Sequence, residues 1–84
     1  MWKVYALASL IKNYIYVGLT RDEKARKERH DAGRERTTRP YRPFEFLLVE
    51  SYASRAEARK REKYLKSGVG KEYLRTLRLQ KLGF

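Results

Sequence analysis

The first twenty residues contain two segments that are typical of β-strands and are separated only by a short turn. Residues 2–9 and 14–19 are rich in aromatic and β-branched residues, which favour strands. The four residues between them, Leu10 to Asn13, have a suitable length for a hairpin loop, and asparagine tolerates turn geometry. The sequence therefore predicts an antiparallel hairpin as the first element of the fold.

Pairing across this loop sorts the side chains onto two faces, because successive side chains of a strand point to opposite sides of the sheet. Tyr5 lies opposite Gly18 in this register, and Leu7 lies opposite Tyr16. One face is wholly apolar and predicts a core, and its members are Val4, Ala6, Ala8, Ile15, Val17 and Leu19. The other face is amphipathic, and its members are Tyr5, Leu7, Ser9, Tyr14 and Tyr16. A shift of one residue would scramble both faces, so the prediction depends on the loop.

The next segment, residues 21–32, favours a helix that begins after Thr20 or Asp22 and ends at Gly33. Its apolar residues are two alanines, so we expect a surface helix that packs weakly. Residues 33–43 then form a basic loop that contains two prolines.

The second half of the chain predicts one more strand and two helices. Residues 44–52 have the composition of a strand. A capping box at Ser54 and Glu57 indicates a helix that runs to about Lys66, and residues 70–81 favour a final helix.

Length and composition indicate a single folded unit. The chain has 84 residues, of which 42% are hydrophobic, which is too apolar for a disordered basic tail. We expect one domain over residues 1–80 and a C-terminal tail over residues 81–84. The absence of cysteine excludes disulfides and thiolate metal sites.

Positive charge dominates the sequence, with a formal net charge of +11. The excess lies in residues 21–42 and 55–81, whereas the apolar segments are near neutral. Clustered cations on a folded scaffold suit a polyphosphate backbone, because binding releases condensed counterions. A solvated surface that only maintains solubility is the alternative, and we favour nucleic acid. The cations expected to contact it are Arg36, Arg39, Arg42, Lys66 and Lys71.

Two pairs of residues have side chains suited to phosphodiester chemistry. Tyr5 and Tyr16 share a face of the hairpin, and a tyrosine near a cation or a metal-bound water loses its proton more easily. Arg26 and His30, the only histidine, project from one face of the first helix. Each pair also has a structural explanation, since tyrosines suit half-buried strands and charged residues suit a helix surface.

A third candidate is Glu62, which lies beside the apolar stripe of the second predicted helix, between Ala58 and Leu65. A carboxylate in that position needs a partner, either a Mg²⁺ ion with oxygen ligands or an ion pair with Arg59 or Arg61. The sequence leaves both alternatives open. It contains no phosphate-binding glycine loop, zinc pattern or nucleophile elbow. If the protein is an enzyme, a phosphodiesterase that uses tyrosine, arginine and a carboxylate is the chemistry its residues permit.

The order of these features resembles that of the GIY-YIG nuclease family. The first motif is present as Lys3-Val4-Tyr5 and the second as Tyr16-Val17-Gly18. Arg26 and His30 follow at the places where the family has an arginine and often a histidine one turn later.

Later parts of the chain extend the resemblance. Glu62, within residues 58–63, matches the family's metal-binding glutamate. The loop at residues 37–43 is similar to that of the small bacterial single-domain members. The resemblance covers roughly residues 1–80 and is much more specific as an ordered set than any single motif.

The resemblance implies an α/β fold of the α+β kind, in which about three helices flank a three-stranded antiparallel sheet. It also implies one divalent cation, Mg²⁺ or Mn²⁺, and hydrolysis of a phosphodiester. By this resemblance Tyr5 and Tyr16 would activate or orient the attacking water, and Arg26 would stabilise charge on the phosphoryl oxygens. His30 would support the base or the scissile phosphate. Glu62 would hold the metal ion, which acts as a Lewis acid and stabilises the leaving group.

The sequence departs from the family pattern in three respects. Lys3 replaces the first glycine of the motif, although the tyrosine is the chemical residue. Glu23 and Lys27 occupy places where relatives usually have apolar residues, so we expect the first helix to pack loosely. These 84 residues include no separate DNA-binding domain, so we expect specificity to be low or supplied by a protein partner.

Three functional hypotheses follow. The leading one is an endonuclease that acts on nucleic acid, with DNA favoured. The second is a non-catalytic nucleic-acid binder on the same fold, and the third is a small adaptor that docks on an acidic protein. No apolar run approaches the ~20 residues of a membrane span, and residues 1–5 do not resemble a signal peptide. We therefore expect a cytoplasmic protein without membrane association.

Overall fold

The computed structural model describes all 84 residues and contains one three-stranded antiparallel sheet, three α-helices and a short 3-10 helix. The strands are β1 (Trp2–Ser9), β2 (Ile15–Thr20) and β3 (Phe44–Tyr52), in the order β2-β1-β3. The helices are α1 (Glu23–Asp31), α2 (Arg55–Lys66) and α3 (Gly68–Leu82), and the 3-10 helix is Arg39–Tyr41. The α+β fold predicted from the sequence is confirmed. Each helix falls short of the length and apolarity that crossing a bilayer requires.

The hairpin has the predicted register. Tyr5 pairs with Gly18 and Leu7 pairs with Tyr16. The Ser9 amide donates to the carbonyl of Tyr14 at 2.9 Å, which closes the four-residue loop. Strand β2 begins one residue later than predicted, at Ile15 in place of Tyr14.

Strand β1 lies in the middle of the sheet and is buried on both faces, with every residue from Val4 to Ser9 fully inaccessible to solvent. Its Val4, Ala6 and Ala8 side chains join the main core, which also contains Ala58 and Leu65 of α2 and Leu74 of α3. Its Tyr5 and Leu7 side chains face the other way and pack with Phe44 in a second cluster. The predicted sorting of the two faces is confirmed, and the amphipathic face is covered as well as the apolar one.

A bulge in β3 adds apolar side chains to both faces. Ala6 pairs with Leu48 and Leu7 pairs with Phe46, so Leu47 is an extra residue between the two pairs. A bulge breaks the strict alternation of side chains along a strand. As a result Leu47 and Leu48 both pack in the main core, whereas Phe46 packs against the second cluster.

Polar side chains define where the first two helices begin. Of the two candidate caps for α1, Asp22 makes the contact, since its Oδ1 accepts the Ala25 amide at 3.1 Å. The capping box of α2 is present, because Ser54 Oγ accepts the amide of Glu57 at 3.2 Å and bonds the Glu57 carboxylate.

The α2–α3 junction is tighter than the sequence indicated. Ser67 Oγ accepts the amide of Gly70, so α3 begins at Gly68, two residues before the predicted start. A Cβ atom at Gly70 would overlap the carbonyl oxygen of Tyr64 and the Cα atom of Leu65. Only glycine allows this close approach of the two helices.

This close packing predicts opposite effects for two alanine substitutions. Gly70→Ala forces backbone atoms apart, and we expect it to lower the free energy of unfolding by about 1–3 kcal/mol. Gly68→Ala is the matched control, because nothing lies within 4 Å of its added Cβ. Since alanine favours a helix over glycine, the control is expected to be neutral or up to about 1 kcal/mol more stable. Urea denaturation of both variants checks this, and equal stabilities would contradict the packing argument.

Candidate active site

Four of the predicted site residues meet on the side of the sheet that α1 covers. The hydroxyl of Tyr5 lies 3.1 Å from Nε2 of His30. The ring of Tyr16 lies 6.0 Å from the Tyr5 ring and 4.7 Å from the His30 ring, between centroids. The Arg26 guanidinium lies beside the Tyr5 hydroxyl, and the interaction between them raises the pKa of the arginine. We call these four residues the Tyr5 cluster.

The hairpin register places the two tyrosines together, and Gly18 makes the space that they occupy. Gly18 lies opposite Tyr5 in the sheet and two residues after Tyr16. A Cβ atom at this position would lie 2.6 Å from the hydroxyl of Tyr5 and 2.8 Å from the ring of Tyr16. A side chain at Gly18 would therefore displace one of the phenols.

His30 is the only buried residue of α1, and it is hydrogen-bonded through both ring nitrogens. Its Nδ1 lies 2.7 Å from Oγ1 of Thr38, which is itself buried. A neutral imidazole donates from one ring nitrogen and accepts at the other, and the Tyr5 hydroxyl is the donor that faces Nε2. The Nδ1 proton then donates to Thr38, whose hydroxyl has the Glu35 carbonyl at 3.4 Å as its own acceptor. The His30 ring is therefore assigned as neutral, with its proton on Nδ1.

Burial keeps both partners of the central hydrogen bond neutral. It lowers the pKa of His30 below the ordinary value of 6.5, because a charged imidazolium loses hydration. It also raises the pKa of Tyr5 to about 12, although the neighbouring Arg26 guanidinium acts in the opposite direction. At neutral pH the phenol therefore keeps its proton.

Arg26 has unused hydrogen-bonding capacity in this cluster. Its Nε is buried without a hydrogen-bond partner, and its Nη1 lies 3.8 Å from the Glu35 carboxylate. Glu35 is held more closely by Arg29, at 3.0 Å, which lowers the pKa of that carboxyl. A buried donor without a partner costs about 1–3 kcal/mol. The Arg26 guanidinium is therefore ready to accept an anionic ligand.

Glu23 and Lys27, the two residues of α1 at which the resemblance implied apolar side chains, make polar contacts. Glu23 pairs with Lys3 at 3.4 Å, so the lysine that replaces the motif glycine holds the start of the helix. Lys27 pairs with Asp31 at 2.7 Å. Asp31 also accepts the amide of Phe44 at 2.8 Å, which joins the end of α1 to the start of β3. The helix lies on the surface as expected, and ion pairs and hydrogen bonds attach it to the sheet.

Glu62 is buried on α2, with 7% of the residue exposed, and its ion pairs are with Arg59 and Lys66 and not with the Tyr5 cluster. Its oxygens lie 3.7 Å from Nη1 of Arg59 and 3.3 Å from Nζ of Lys66. Arg61, the other partner considered, pairs with Glu50 at 2.9 Å instead. The ion-pair alternative is therefore realised through Arg59 and Lys66.

The donor set around Glu62 limits which metal ion it fits. No three His, Cys, Asp or Glu side chains come together as a metal-binding group. Magnesium keeps several of its waters and is commonly bound by one or two carboxylates together with substrate phosphates. A single buried carboxylate fits an ion of that kind.

A cavity of about 440 Å³ lies between the end of the hairpin and the α2–α3 junction. Tyr16 lines it from β2, and Lys66, the partner of Glu62, lines it from the end of α2. Lys71 and Arg75 of α3 complete its cationic side, and no carboxylate lines it. Lys66 and Lys71 were predicted to bind nucleic acid, whereas Arg75 was missed, because its place depends on how α3 packs.

The predicted arginines of the basic loop are exposed: Arg36, Arg39 and Arg42. Arg39 Nε also donates to the carbonyl of Gly33 at 2.7 Å, which shapes the loop. Tyr41 of the 3-10 helix stacks on Tyr14 with 3.9 Å between ring centroids, and Tyr14 lines the cavity. The cationic loop and the cationic cavity are thus neighbours on one surface.

The fold and the Tyr5 cluster define the class of protein. Residues 1–75 match the GIY-YIG catalytic domain, and the chain belongs to the GIY-YIG family. Comparison with curated proteins and with solved structures gives no match. GIY-YIG domains are generally nucleases that use a divalent metal ion, and their substrate is nucleic acid.

The environment of His30 predicts a pH-dependent stability. The folded ring resists protonation, so below pH 6.5 the unfolded chain binds more protons than the folded one. We therefore expect the neutral His30 ring to contribute its full share of the free energy of unfolding above pH 6.5. As the pH drops below that value, the free energy of unfolding should fall.

NMR measures the ring directly, because the chain has one histidine. We expect a pKa below 6.5 and ¹⁵N shifts of the Nδ1–H tautomer. His30→Gln, which does not titrate, should have a weaker pH dependence of unfolding between about pH 7.5 and 5.5 than wild type. A ring that titrates at or above 6.5 would contradict the assignment.

Proposed function

We propose that this protein is a metal-dependent endonuclease that hydrolyses phosphodiester bonds in DNA, with low intrinsic sequence specificity. Target choice then comes from the structure of the DNA or from a protein partner. The observation that carries the proposal is the Tyr5 cluster, in which two phenols and one imidazole pack together beside the Arg26 guanidinium, whose buried Nε has no partner. Membership of the GIY-YIG family supports the same reaction.

Arg26 is proposed to bind the phosphoryl oxygens of the scissile phosphate. Its side chain is 36% exposed, so the guanidinium reaches solvent on one side while Nε is buried on the other. A guanidinium presents several donors in a fixed plane, which matches phosphate oxygens. These donors stabilise the negative charge that grows on the phosphoryl group in the transition state.

The two tyrosines are proposed to have different roles because their exposure differs. Tyr5 is fully buried and keeps its proton, so it positions Arg26 and His30 without touching the substrate. Tyr16 is only half-buried and lines the open cavity. Tyr16 is therefore the phenol that orients the attacking water by a hydrogen bond.

His30 is proposed to be a positioning residue. It holds the Tyr5 hydroxyl on one side and is fixed by Thr38 on the other. Its neutral state avoids repulsion with the Arg26 guanidinium, which must stay available for the phosphate.

Glu62 is proposed to hold one Mg²⁺ or Mn²⁺ ion. When bound, such an ion supplies Lewis-acid chemistry and stabilises the leaving oxygen. The carboxylate is paired with Lys66 and Arg59, both of which are more than half exposed. Because the charged ends of these two cations are largely solvated, they turn towards substrate phosphates when the carboxylate binds the ion instead.

Substitution of Arg26 tests the proposed phosphate contact. We expect Arg26→Ala to reduce the cleavage rate about 100- to 1,000-fold, as for the loss of one transition-state donor. Lys24→Ala is the matched control, because Lys24 is an exposed cation on the same helix and should change the rate little. Cleavage of branched, nicked and single-stranded DNA with Mg²⁺ measures both. Equal losses for the two variants would show that only net charge matters.

Substitution of Glu62 tests the proposed metal ligand. Glu62→Gln keeps the shape of the side chain and removes the charge, so we expect cleavage to fall to the level seen in EDTA. Glu57→Gln on the same helix is the control, since that carboxylate is exposed and serves the capping box. If wild type and Glu62→Ala cleave equally, the activity belongs to a contaminant.

A second candidate function is non-catalytic binding of nucleic acid. The observation that favours it is the pairing of Glu62 with two cations and with no other acidic side chain. On this hypothesis no metal ion supports cleavage, and Glu62→Ala leaves salt-sensitive binding intact or strengthens it, because it frees Lys66 and Arg59.

A further inference from the structure

The cavity beside Tyr16 follows the free edge of the sheet. Strand β2 pairs only with β1, so its other side has no neighbouring strand. The cavity is lined by Tyr14 and Tyr16, which point to one face, and by Ile15 and Val17, which point to the other. It therefore wraps around the edge of β2.

The register also determines which backbone groups face the cavity. The Ser9 amide bonds to the Tyr14 carbonyl, which makes Ser9 and Tyr14 a hydrogen-bonded pair. Such pairs alternate with non-bonded pairs along an antiparallel ladder. Ile15 and Val17 are one and three positions further along, so their N–H and C=O groups point away from β1. Unpaired donors and acceptors thus line the wall that these two residues form.

The opposite wall is apolar at its base and cationic at its rim. Leu65 and Leu74 form the base, where α2 and α3 pack together. Lys66, Lys71 and Arg75 form the rim. Arg75 contacts Glu72 at 2.6 Å, but both side chains are more than half exposed, so solvent screens this pair.

We propose that this cavity binds one unstacked nucleotide of the DNA substrate, next to the scissile phosphate. The proposal rests on the proposed nuclease function and names the class of substrate. The phenols and the half-buried Ile15 side chain receive the faces of the nucleobase, and the free backbone groups of Ile15 and Val17 bond its edge. The cationic rim binds the phosphate of the same nucleotide. The volume of about 440 Å³ lies in the range of small-ligand sites, about 300–1,000 Å³.

This site selects DNA by the accessibility of a base. In a continuous duplex every base is stacked and paired, so a nucleotide enters the cavity only after unstacking, which costs a few kcal/mol. Single strands, flaps and junctions present such a nucleotide without that cost. The enzyme is therefore expected to prefer DNA with an unpaired nucleotide beside the cleaved bond.

The first test uses NMR with ¹⁵N-labelled protein in EDTA and two probes, deoxyadenosine monophosphate and inorganic phosphate. We expect the nucleotide alone to shift the amide signals of Ile15 and Val17. Lys71→Ala should weaken nucleotide binding at least threefold, whereas Lys63→Ala, an exposed cation of α2 outside the cavity, should not. Identical shifts with both probes would reduce the cavity to an anion site and overturn the proposal.

The second test measures binding of labelled oligonucleotides by fluorescence anisotropy in EDTA. We expect a single strand to bind at least fivefold more tightly than the same sequence as a duplex. Abasic substitution throughout the strand, which keeps every phosphate, should weaken binding about tenfold, as the loss of one stacked base does. Equal affinity for the two single strands would show that only phosphates are bound.

These outcomes separate the nucleotide site from the nuclease. Binding is measured without metal. If both tests succeed but the protein never cleaves DNA, the proposed nuclease function is contradicted and the nucleotide site is supported. If the protein cleaves DNA but shows no nucleotide-specific shift at Ile15 and Val17, the nuclease function is supported and the nucleotide site is contradicted.

Discussion

The hydrogen bond between Tyr5 and His30 joins the two parts of the molecule that form the site. Tyr5 belongs to the central strand, whose position is fixed by apolar packing on both faces. Helix α1 has no such anchor, because His30 is its only buried residue. Its place on the sheet therefore depends on a small number of polar contacts, of which the Tyr5–His30–Thr38 chain is the buried one. The position of Arg26 follows, since it lies one turn before His30 on the same face.

Side-chain alternation made much of this fold predictable from the sequence. The hairpin register follows from the loop length, and the register alone sorts Val4, Ala6 and Ala8 from Tyr5 and Leu7. The bulge at β3 was not predictable in the same way, because FEFLLVESY fits an unbroken strand as well as a bulged one. The early start of α3 was also missed, because the prediction ended one helix at about Lys66 and began the next at residue 70, whereas Ser67 caps α3 in the structure.

The sequence predicted the parts of the candidate site whose residues share a helix face or lie on paired strands. It did not predict contacts that form only when distant segments pack together. Helical spacing puts Arg26 and His30 on one face, and strand pairing puts Tyr5 beside Tyr16. The contact of Thr38 with His30 was not predictable, because nothing in the sequence distinguishes Thr38 from its neighbour Thr37. Only the folding of the basic loop onto α1 brings Thr38 to the histidine. The full burial of Tyr5 was hidden too, and it separates the roles of two phenols that look equivalent in the sequence.

The free edge of β2 links the proposed nucleotide binding to protection against edge-to-edge association with another chain. With β1 in the centre, β2 is left with unpaired backbone groups that would template pairing with another chain. Lys66, Lys71 and Arg75 lie along that edge, and a second copy would bring the same cations against them. Like charges therefore oppose edge-to-edge association, whereas the same arrangement attracts a phosphate backbone. A polyanion with accessible bases satisfies both the charges and the backbone groups, which neither another copy nor an acidic protein surface does as completely.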